Sequence, residues 1–87
     1  MSYQLEFTTE ASTEIDFFKK SGNLSVLKKI KKLLLEIMET PLTGTGKPEP
    51  LKYELQGFYS RRINIEHRIV YEVLDDKVII HSVKGHY

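Results

Sequence analysis

The residue types that cleave RNA without a metal ion occur in one stretch of this chain, residues 44–71, taken together with its last two residues. Glu49 stands between two prolines, Arg68 lies near the end of the stretch, and His86 is the penultimate residue of the sequence. A carboxylate can take the proton from a ribose 2′-OH, a guanidinium can hold the phosphate as its charge grows, and an imidazolium can protonate the leaving 5′-oxygen. This chemistry requires that the fold bring the three side chains together.

Each of these residues also has a plainer interpretation. Glu49 can be an exposed loop residue without a role, kept extended because a proline follows it. Arg68 lies in a strand pattern, where a half-buried guanidinium needs an anion, and the carboxylate of Glu49, Glu54 or Glu72 would serve as well as a phosphate. A histidine beside a chain terminus is usually idle. We interpret the two remaining histidines as structural: His67 and His81.

Size and composition predict one small soluble domain. The chain has 87 residues, no cysteine and a formal net charge of +1, which leaves no disulfide and no thiolate metal site. We therefore expect a single domain over residues 1–87. The N-terminus lacks the features of a signal peptide and no apolar run approaches the length of a membrane span, so we expect a cytoplasmic protein without membrane contact.

Positive charge is concentrated between Phe17 and Leu35, where lysines occur without any acidic residue. One interpretation is a solvated helix face. The other is a surface that binds a polyanion by electrostatic attraction. The lysines are Lys19, Lys20, Lys28, Lys29, Lys31 and Lys32.

Hydrophobic periodicity divides the chain into an early helical part and a later strand part. Alternation over residues 3–7 predicts a short strand. Thr8 or Thr9 can cap a helix that ends at Gly22, and Asn23 or Ser25 can open a second helix that ends before Pro41. Residues 41–50 form a loop, and period-two patterns then predict strands at 51–55, 59–64, 67–73 and 78–83. This order predicts an α+β fold, with two N-terminal helices packed on one face of an antiparallel sheet.

Four motifs together resemble one known family. They are GKPEPL at residues 46–51, L-x-G-F-x-SRRI at 55–63, EHRIVY at 66–71 and the final HY at 86–87. In this order and spacing they closely resemble the YoeB/Txe toxins of the RelE superfamily, which are ribosome-dependent mRNA endoribonucleases of bacterial type II toxin–antitoxin modules. The resemblance covers the whole chain in length and element order, and it implies a microbial-ribonuclease-like (RelE-like) fold.

The resemblance also implies roles for individual residues. Glu49 corresponds to the family's general base, Arg68 to the arginine that stabilises the pentavalent phosphate, His86 to the general acid, and Tyr87 to a residue that orients the substrate. The positions implied to bind phosphate or ribosomal RNA are Arg61, Arg62, Lys47 and Lys52. The lysine-rich helices would face the ribosome, and no metal or cofactor is implied.

This sequence departs from the family pattern just before its final two residues. Some members have an arginine and an aromatic residue there, whereas this chain has Lys84 and Gly85. The positive charge is kept and the aromatic ring is not. The side chain that stacks on an mRNA base is therefore left open, with three candidates: Tyr87, Tyr59 and Phe58.

The implied partners are the ribosome with its mRNA and a cognate antitoxin, whose acidic, partly disordered segment would fold on this toxin's basic surface. Whether the free chain forms a homodimer is left open. Two other functions remain at this point. A toxin of the same fold can bind DNA gyrase without cleaving RNA, and the charge pattern alone is satisfied by an RNA-binding module without activity.

Overall fold

The structure is a computed structural model that describes residues 2–44, 46, 48–51 and 57–85. Two helices follow a first strand, and four strands complete the described chain. The elements are β1 (Gln4–Phe7), α1 (Thr9–Lys20), α2 (Leu24–Glu39), β2 (Glu49–Pro50), β3 (Phe58–Arg62), β4 (Arg68–Val73) and β5 (Lys77–Ser82). The strand predicted at 51–55 lies outside the described residues apart from Leu51, which directly follows β2.

Local side-chain hydrogen bonds define where both helices begin. The Thr8 hydroxyl accepts from the backbone N–H of Ala11 at 3.1 Å, and the Asn23 side chain accepts from Val26 N–H at 3.4 Å. Both satisfy N–H groups that have no partner inside the helix. Gly22, with φ of +70°, makes the turn between the helices, in the left-handed conformation that glycine adopts without a Cβ penalty. These observations confirm the predicted helix boundaries.

The five strands form one sheet in the order β1-β5-β4-β3-β2. The β2–β3, β3–β4 and β4–β5 pairs are antiparallel, as predicted. The first strand joins parallel to β5, with Gln4 opposite Lys77, so the sheet is mixed at this edge. A parallel pair needs a long crossover connection, and the connection from β1 necessarily includes both helices. The predicted α+β fold with helices on an antiparallel sheet is confirmed, with this one parallel edge added.

One face of the sheet packs against the helices and forms the core. Opposite residues of an antiparallel pair share a face, and Ile69 and Tyr71 of β4, both 0% exposed, lie in the core cluster. The helices contribute buried apolar side chains at helical spacing. These are Ala11 and Phe18 from α1, and Val26, Ile30, Leu33 and Ile37 from α2.

The opposite face of the sheet, which we call the open face, carries most of the polar residues singled out by sequence. Pairing places Ser60 opposite both Glu49 and Val70, Arg62 opposite Arg68, and Phe58 opposite Glu72. All of these side chains therefore share the open face. Within the described residues, no helix has the length and apolarity that a membrane span requires.

Candidate active site

Glu49 and Arg68 meet on the open face, at the rim of a pocket. Arg68 Nη2 lies 3.5 Å from Glu49 Oε1, and Arg68 Nε donates to Ser60 Oγ at 3.1 Å. The pocket has a volume of about 260 Å³ and is lined by Gly46, Glu49, Arg62 and Arg68. Of the three acids predicted as alternative partners, Glu49 forms the ion pair, Glu72 pairs elsewhere, and Glu54 lies outside the described residues.

The Arg68 guanidinium has a buried nitrogen whose hydrogen-bonding capacity is not used. Its side chain is 12% exposed, and that of Glu49 is 62% exposed. Among the described residues, Arg68 Nη2 is the buried side-chain polar atom without a hydrogen bond, since the approach of Glu49 does not meet hydrogen-bond geometry. Leaving such a donor unsatisfied is costly. An anionic oxygen that enters the pocket would satisfy it with a charge-assisted bond.

The chain that leads to His86 is tied to the start of β4. Gly85 N–H donates to His67 Nδ1 at 2.9 Å, and Arg68 N–H donates to the Gly85 carbonyl at 2.9 Å. His67 is 7% exposed and packs edge-on against Phe18 at 5.1 Å. Because Nδ1 accepts this hydrogen bond, the ring proton of His67 is assigned to Nε2. The structural role predicted for His67 is thus to hold the neighbour of His86 beside Arg68.

Two further contacts hold this terminal segment against α1. The backbone N–H of Val83 donates to Glu14 Oε1 at 2.8 Å, and Lys84 Nζ lies 4.7 Å from the centroid of the Phe17 ring. His86 and Tyr87 themselves lie outside the described residues, so their predicted roles stay predictions. The sequence did not indicate the anchoring by Glu14, because no pattern links a helix carboxylate to a backbone amide this distant in the chain.

Arg61 has a different role from the one that the sequence suggested. The side chain is 0% exposed, its Nε donates to the Tyr71 hydroxyl at 3.0 Å, and its Nη1 lies 3.6 Å from Glu36. Its Nη2 donates to the carbonyls of Thr40 at 2.6 Å and Thr43 at 2.5 Å. The prediction that Arg61 contacts phosphate is therefore wrong, because a buried guanidinium engaged through all three nitrogens cannot reach a ligand. Its alternation with Tyr59 and Ile63 pointed to this inner face.

The loop before Glu49 is fastened to the sheet by backbone contacts. The Tyr71 hydroxyl donates to the Pro41 carbonyl at 2.6 Å, and Arg62 N–H donates to the Gly46 carbonyl at 3.0 Å. Gly46 has φ of +85°, and a Cβ there would lie 2.8 Å from the Arg62 carbonyl oxygen. Only glycine fits this approach without movement. The short β2 pairing then holds Glu49 opposite Ser60.

Of the three other residues predicted to bind phosphate, Arg62 alone lies among the described residues. Arg62 is exposed and lines the pocket beside Arg68, as expected of a residue that contacts phosphate. Lys47 and Lys52 lie outside the described residues. The candidate stacking residue Tyr59 faces the helices, because it pairs with Tyr71 and its ring stacks on Tyr71 at 6.1 Å. Phe58 is the candidate on the open face, and Tyr87 lies outside the described residues.

The buried tyrosine of this network predicts a pH dependence of stability. Burial raises the pKa of the Tyr71 hydroxyl above its ordinary value of 10.0, although Arg61 opposes the shift. The folded state therefore holds this proton more tightly than the unfolded state. The resulting stabilisation is complete below about pH 10 and is lost as the pH rises through the raised pKa, at up to about 1.4 kcal/mol per pH unit.

Tyr71→Phe should remove this part of the alkaline decrease. We expect the free energy of unfolding of the variant to fall less steeply between about pH 9 and about pH 11 than that of the unchanged chain. Urea denaturation across this range measures both slopes. Tyr3→Phe is the control and should keep the original slope, and equal slopes for the Tyr71 variant and the unchanged chain would contradict the assignment.

Comparisons with solved structures define the class of protein first. The chain superimposes on the YoeB dimer of Staphylococcus aureus with a TM-score of 0.89 and 42% identity, covering 100% of both chains. It superimposes on the toxin of the YoeB–YefM complex of the same organism with a TM-score of 0.85 and 43% identity, again covering 100% of both chains. The class is a small α+β toxin of a type II toxin–antitoxin system.

Comparison of sequences gives the family. Residues 7–87 match the model of the YoeB-like toxin of bacterial type II toxin–antitoxin systems. The Toxin YoeB of Escherichia coli K12 is 52% identical over 79 residues, which is 91% of this chain and 94% of that protein. The chain therefore belongs to the YoeB-like toxin family, and the resemblance that the four motifs indicated is confirmed.

Proposed function

We propose that this toxin is an endoribonuclease that cleaves mRNA on the ribosome by metal-independent acid–base catalysis. The observation that carries the proposal is the buried Arg68 Nη2, which has no hydrogen bond among the described residues and lies 3.5 Å from an exposed carboxylate. A phosphate oxygen would satisfy that nitrogen, and the adjacent carboxylate would then face the ribose of the same nucleotide. A cation and a base at one pocket are what attack by a 2′-OH requires.

The proposed reaction assigns one step to each residue. Glu49 takes the proton of the ribose 2′-OH, and the oxygen attacks the adjacent phosphorus. Arg68 stabilises the additional negative charge on the phosphate as the bond forms. His86 protonates the 5′-oxygen as its bond to phosphorus breaks, leaving a 2′,3′-cyclic phosphate and a free 5′-hydroxyl. Tyr87 orients the substrate, and Arg62, with Lys47 and Lys52, contributes positive charge around the scissile phosphate.

The lysine-rich helices supply the second part of the proposal. Five of the six lysines between Phe17 and Leu35 are exposed and the sixth, Lys29, is half-buried. They belong to the helical layer, so they form a basic surface separate from the pocket. We propose that this surface binds ribosomal RNA, with an affinity that falls as the salt concentration rises.

An antitoxin is the proposed regulator of this activity. The YoeB of Staphylococcus aureus was solved in complex with YefM and also as a dimer. By similarity, we propose that a cognate antitoxin with an acidic, partly disordered segment neutralises this chain in the cytoplasm. The mass of the free toxin in solution measures its self-association.

Primer extension on a translated message tests the proposed function. The purified chain is added to ribosomes programmed with a defined mRNA, in buffer containing a chelator of free transition metals. Discrete cuts that require translation are expected. Breaks in plasmid DNA in a parallel reaction with DNA gyrase, with the message intact, would favour a gyrase-directed toxin. Ribosome binding with intact message would favour an RNA-binding module; either result would overturn the proposal.

Arg68→Lys is expected to slow cleavage by about 10²-fold, although the positive charge is kept. Lysine has no second nitrogen with which to keep the bond to Ser60 while another nitrogen meets phosphate, so the charge is no longer held in place. Single-turnover rates on programmed ribosomes measure the effect. The matched variant Lys77→Arg, at an exposed ion pair with Glu6, should cleave normally. A rate for Arg68→Lys within a few-fold of the unchanged chain would contradict the phosphate-clamping role.

A further inference from the structure

Three side chains on the open face form a second polar cluster beyond the pocket. The Phe58 and His81 rings have centroids 4.9 Å apart at an interplanar angle of 40°, and His81 Nε2 lies 3.1 Å from Glu72 Oε1. The side chains of His81 and Glu72 are 32% and 26% exposed. The helices cover the other face of the sheet, so this Phe58–Glu72–His81 cluster does not serve the main core.

A β-bulge in β5 lies at His81, a member of this cluster. Val70 pairs with Ser82 and Tyr71 pairs with Ile80, so His81 is an extra residue of β5 without a partner opposite it on β4. A bulge disrupts the ladder locally and redirects a side chain, and bulges are frequent beside active sites. Regular alternation from the buried Ile80 places the His81 imidazole on the same face as Arg68, and the bulge leaves His81 without a partner on β4.

The register of the sheet gives the distance and direction from the pocket to the cluster. Three successive rows cross the open face: Arg62 with Arg68, then Glu49 with Ser60, then Phe58 with Glu72. Phe58 lies two residues before Ser60 on one strand, which is about 7 Å. The Gly85 carbonyl accepts from Arg68 N–H at the far end of this series. The cluster therefore lies on the Glu49 side of the scissile phosphate.

We propose that the Phe58–Glu72–His81 cluster binds the base of the mRNA nucleotide on the 5′ side of the cut and selects bases that bear an exocyclic amino group. This inference rests on the proposed function. The nucleotide whose 2′-OH is activated by Glu49 extends toward the cluster. Its base stacks on the exposed aromatic surface, as bases do in single-stranded RNA recognition.

Glu72 supplies the selectivity. A carboxylate on a phosphate-binding face repels the backbone of RNA, and a hydrogen-bond donor on the ligand would offset this repulsion. One oxygen, Oε1, is engaged by His81. Among the described residues, Oε2 has no hydrogen-bond partner. An amino group of adenine, cytosine or guanine can donate to Oε2, as cytosine does to acidic side chains. Uracil has no amino group, and its one Watson–Crick donor, N3–H, lies between two carbonyl oxygens that a carboxylate repels.

Cleavage of messages that differ only in the base 5′ of the cut tests the proposal. For the unchanged chain we expect kcat/KM to be about tenfold lower with uracil than with adenine or cytosine. Glu72→Gln has nearly the same shape, and its amide can also donate to a uracil carbonyl. This variant should reduce the difference to less than about twofold, because the amide serves both kinds of base. The control Glu6→Gln, at the exposed ion pair with Lys77, should keep the tenfold difference.

Substitutions of Phe58 separate stacking from a structural role. Phe58→Leu should raise KM about tenfold for every base while kcat changes little, and Phe58→Trp should restore the original KM. Phe7→Leu, at a half-exposed phenylalanine of β1, is the control. An unchanged base profile in Glu72→Gln, or an unchanged KM in Phe58→Leu, would overturn the base site while the nuclease stands. Absence of cuts by the unchanged chain would overturn both.

A titration without cleavage gives an independent measurement of the site. Adenosine 3′-monophosphate at millimolar concentration should shift the NMR signals of the Phe58 and His81 rings, and uridine 3′-monophosphate should shift them much less. In Glu72→Gln the two nucleotides should become alike. Shifts that appear only at residues outside the cluster would place the base elsewhere and overturn the proposal.

Discussion

Replacing His86 with alanine should lower the single-turnover rate of mRNA cleavage by about 10² to 10⁴-fold, the range typical for loss of a general acid. The described chain ends at Gly85, which is bonded on one side to His67 Nδ1 and on the other to the backbone of Arg68. Gly85 is thereby attached to the backbone of the residue whose guanidinium would hold the phosphate. An imidazolium at position 86 can give its proton to the 5′-oxygen. Without this proton the oxygen would have to leave as an alkoxide, which is a poor leaving group.

Two measurements distinguish loss of the acid from loss of structure. A general acid acts only while it is protonated, so the cleavage rate of the unchanged chain should fall as a rising pH removes the proton from the imidazole. His86→Ala should lack this decrease. A message with a bridging 5′-phosphorothiolate at the cut has a thiolate leaving group that needs no protonation. The variant should cleave it nearly as fast as the unchanged chain does. A defect of equal size on both messages would show that His86 does not act as the acid.

Arg61→Met should reduce the free energy of unfolding by about 3–5 kcal/mol, the usual cost of removing one member of a buried ionic pair. The change would remove the guanidinium that now contacts the Glu36 carboxylate, the Tyr71 hydroxyl and the carbonyls of Thr40 and Thr43. A domain of this size has only about 5–10 kcal/mol of stability. Urea denaturation monitored by far-UV circular dichroism measures the loss.

The adjacent arginine provides the matched control for this experiment. Arg62→Met changes the same side chain at an exposed position, so its stability should stay within about 0.5 kcal/mol of the unchanged chain. Its cleavage rate should nevertheless fall, because Arg62 lines the pocket with Arg68. Equal losses of stability in the two variants would contradict the buried role of Arg61.

Local chemistry explains which parts of the fold were predictable. The helix boundaries depend on residues within one turn, such as Thr8, Asn23 and Gly22, and the sequence pattern identified them correctly. The partner of β1 depends on pairing with Lys77 at the other end of the chain, which no local pattern encodes. The mixed edge of the sheet was for this reason not predicted.

The contrast between local patterns and long-range contacts also explains which features of the site were predictable. Proline on either side of Glu49 and the strand pattern around Arg68 were enough to place both among the candidates. Which acid pairs with Arg68 was decided by the register of β2 on β3. The role of Arg61 was misjudged because its partners include carbonyls of a distant loop, Thr40 and Thr43. A charged side chain whose neighbours at period two are apolar should be assigned to the core when such acceptors are within reach.

The parallel pairing of the first and last strands has a consequence for biosynthesis. Glu6 and Lys77, which form an ion pair across these strands, are separated by 71 positions in the chain. A growing polypeptide cannot complete the sheet until β5 has left the exit tunnel, because β5 lies between β1 and β4. The sheet that carries Glu49 and Arg68 is therefore completed only after β5 has been made, and we expect the proposed cleavage activity to require β5.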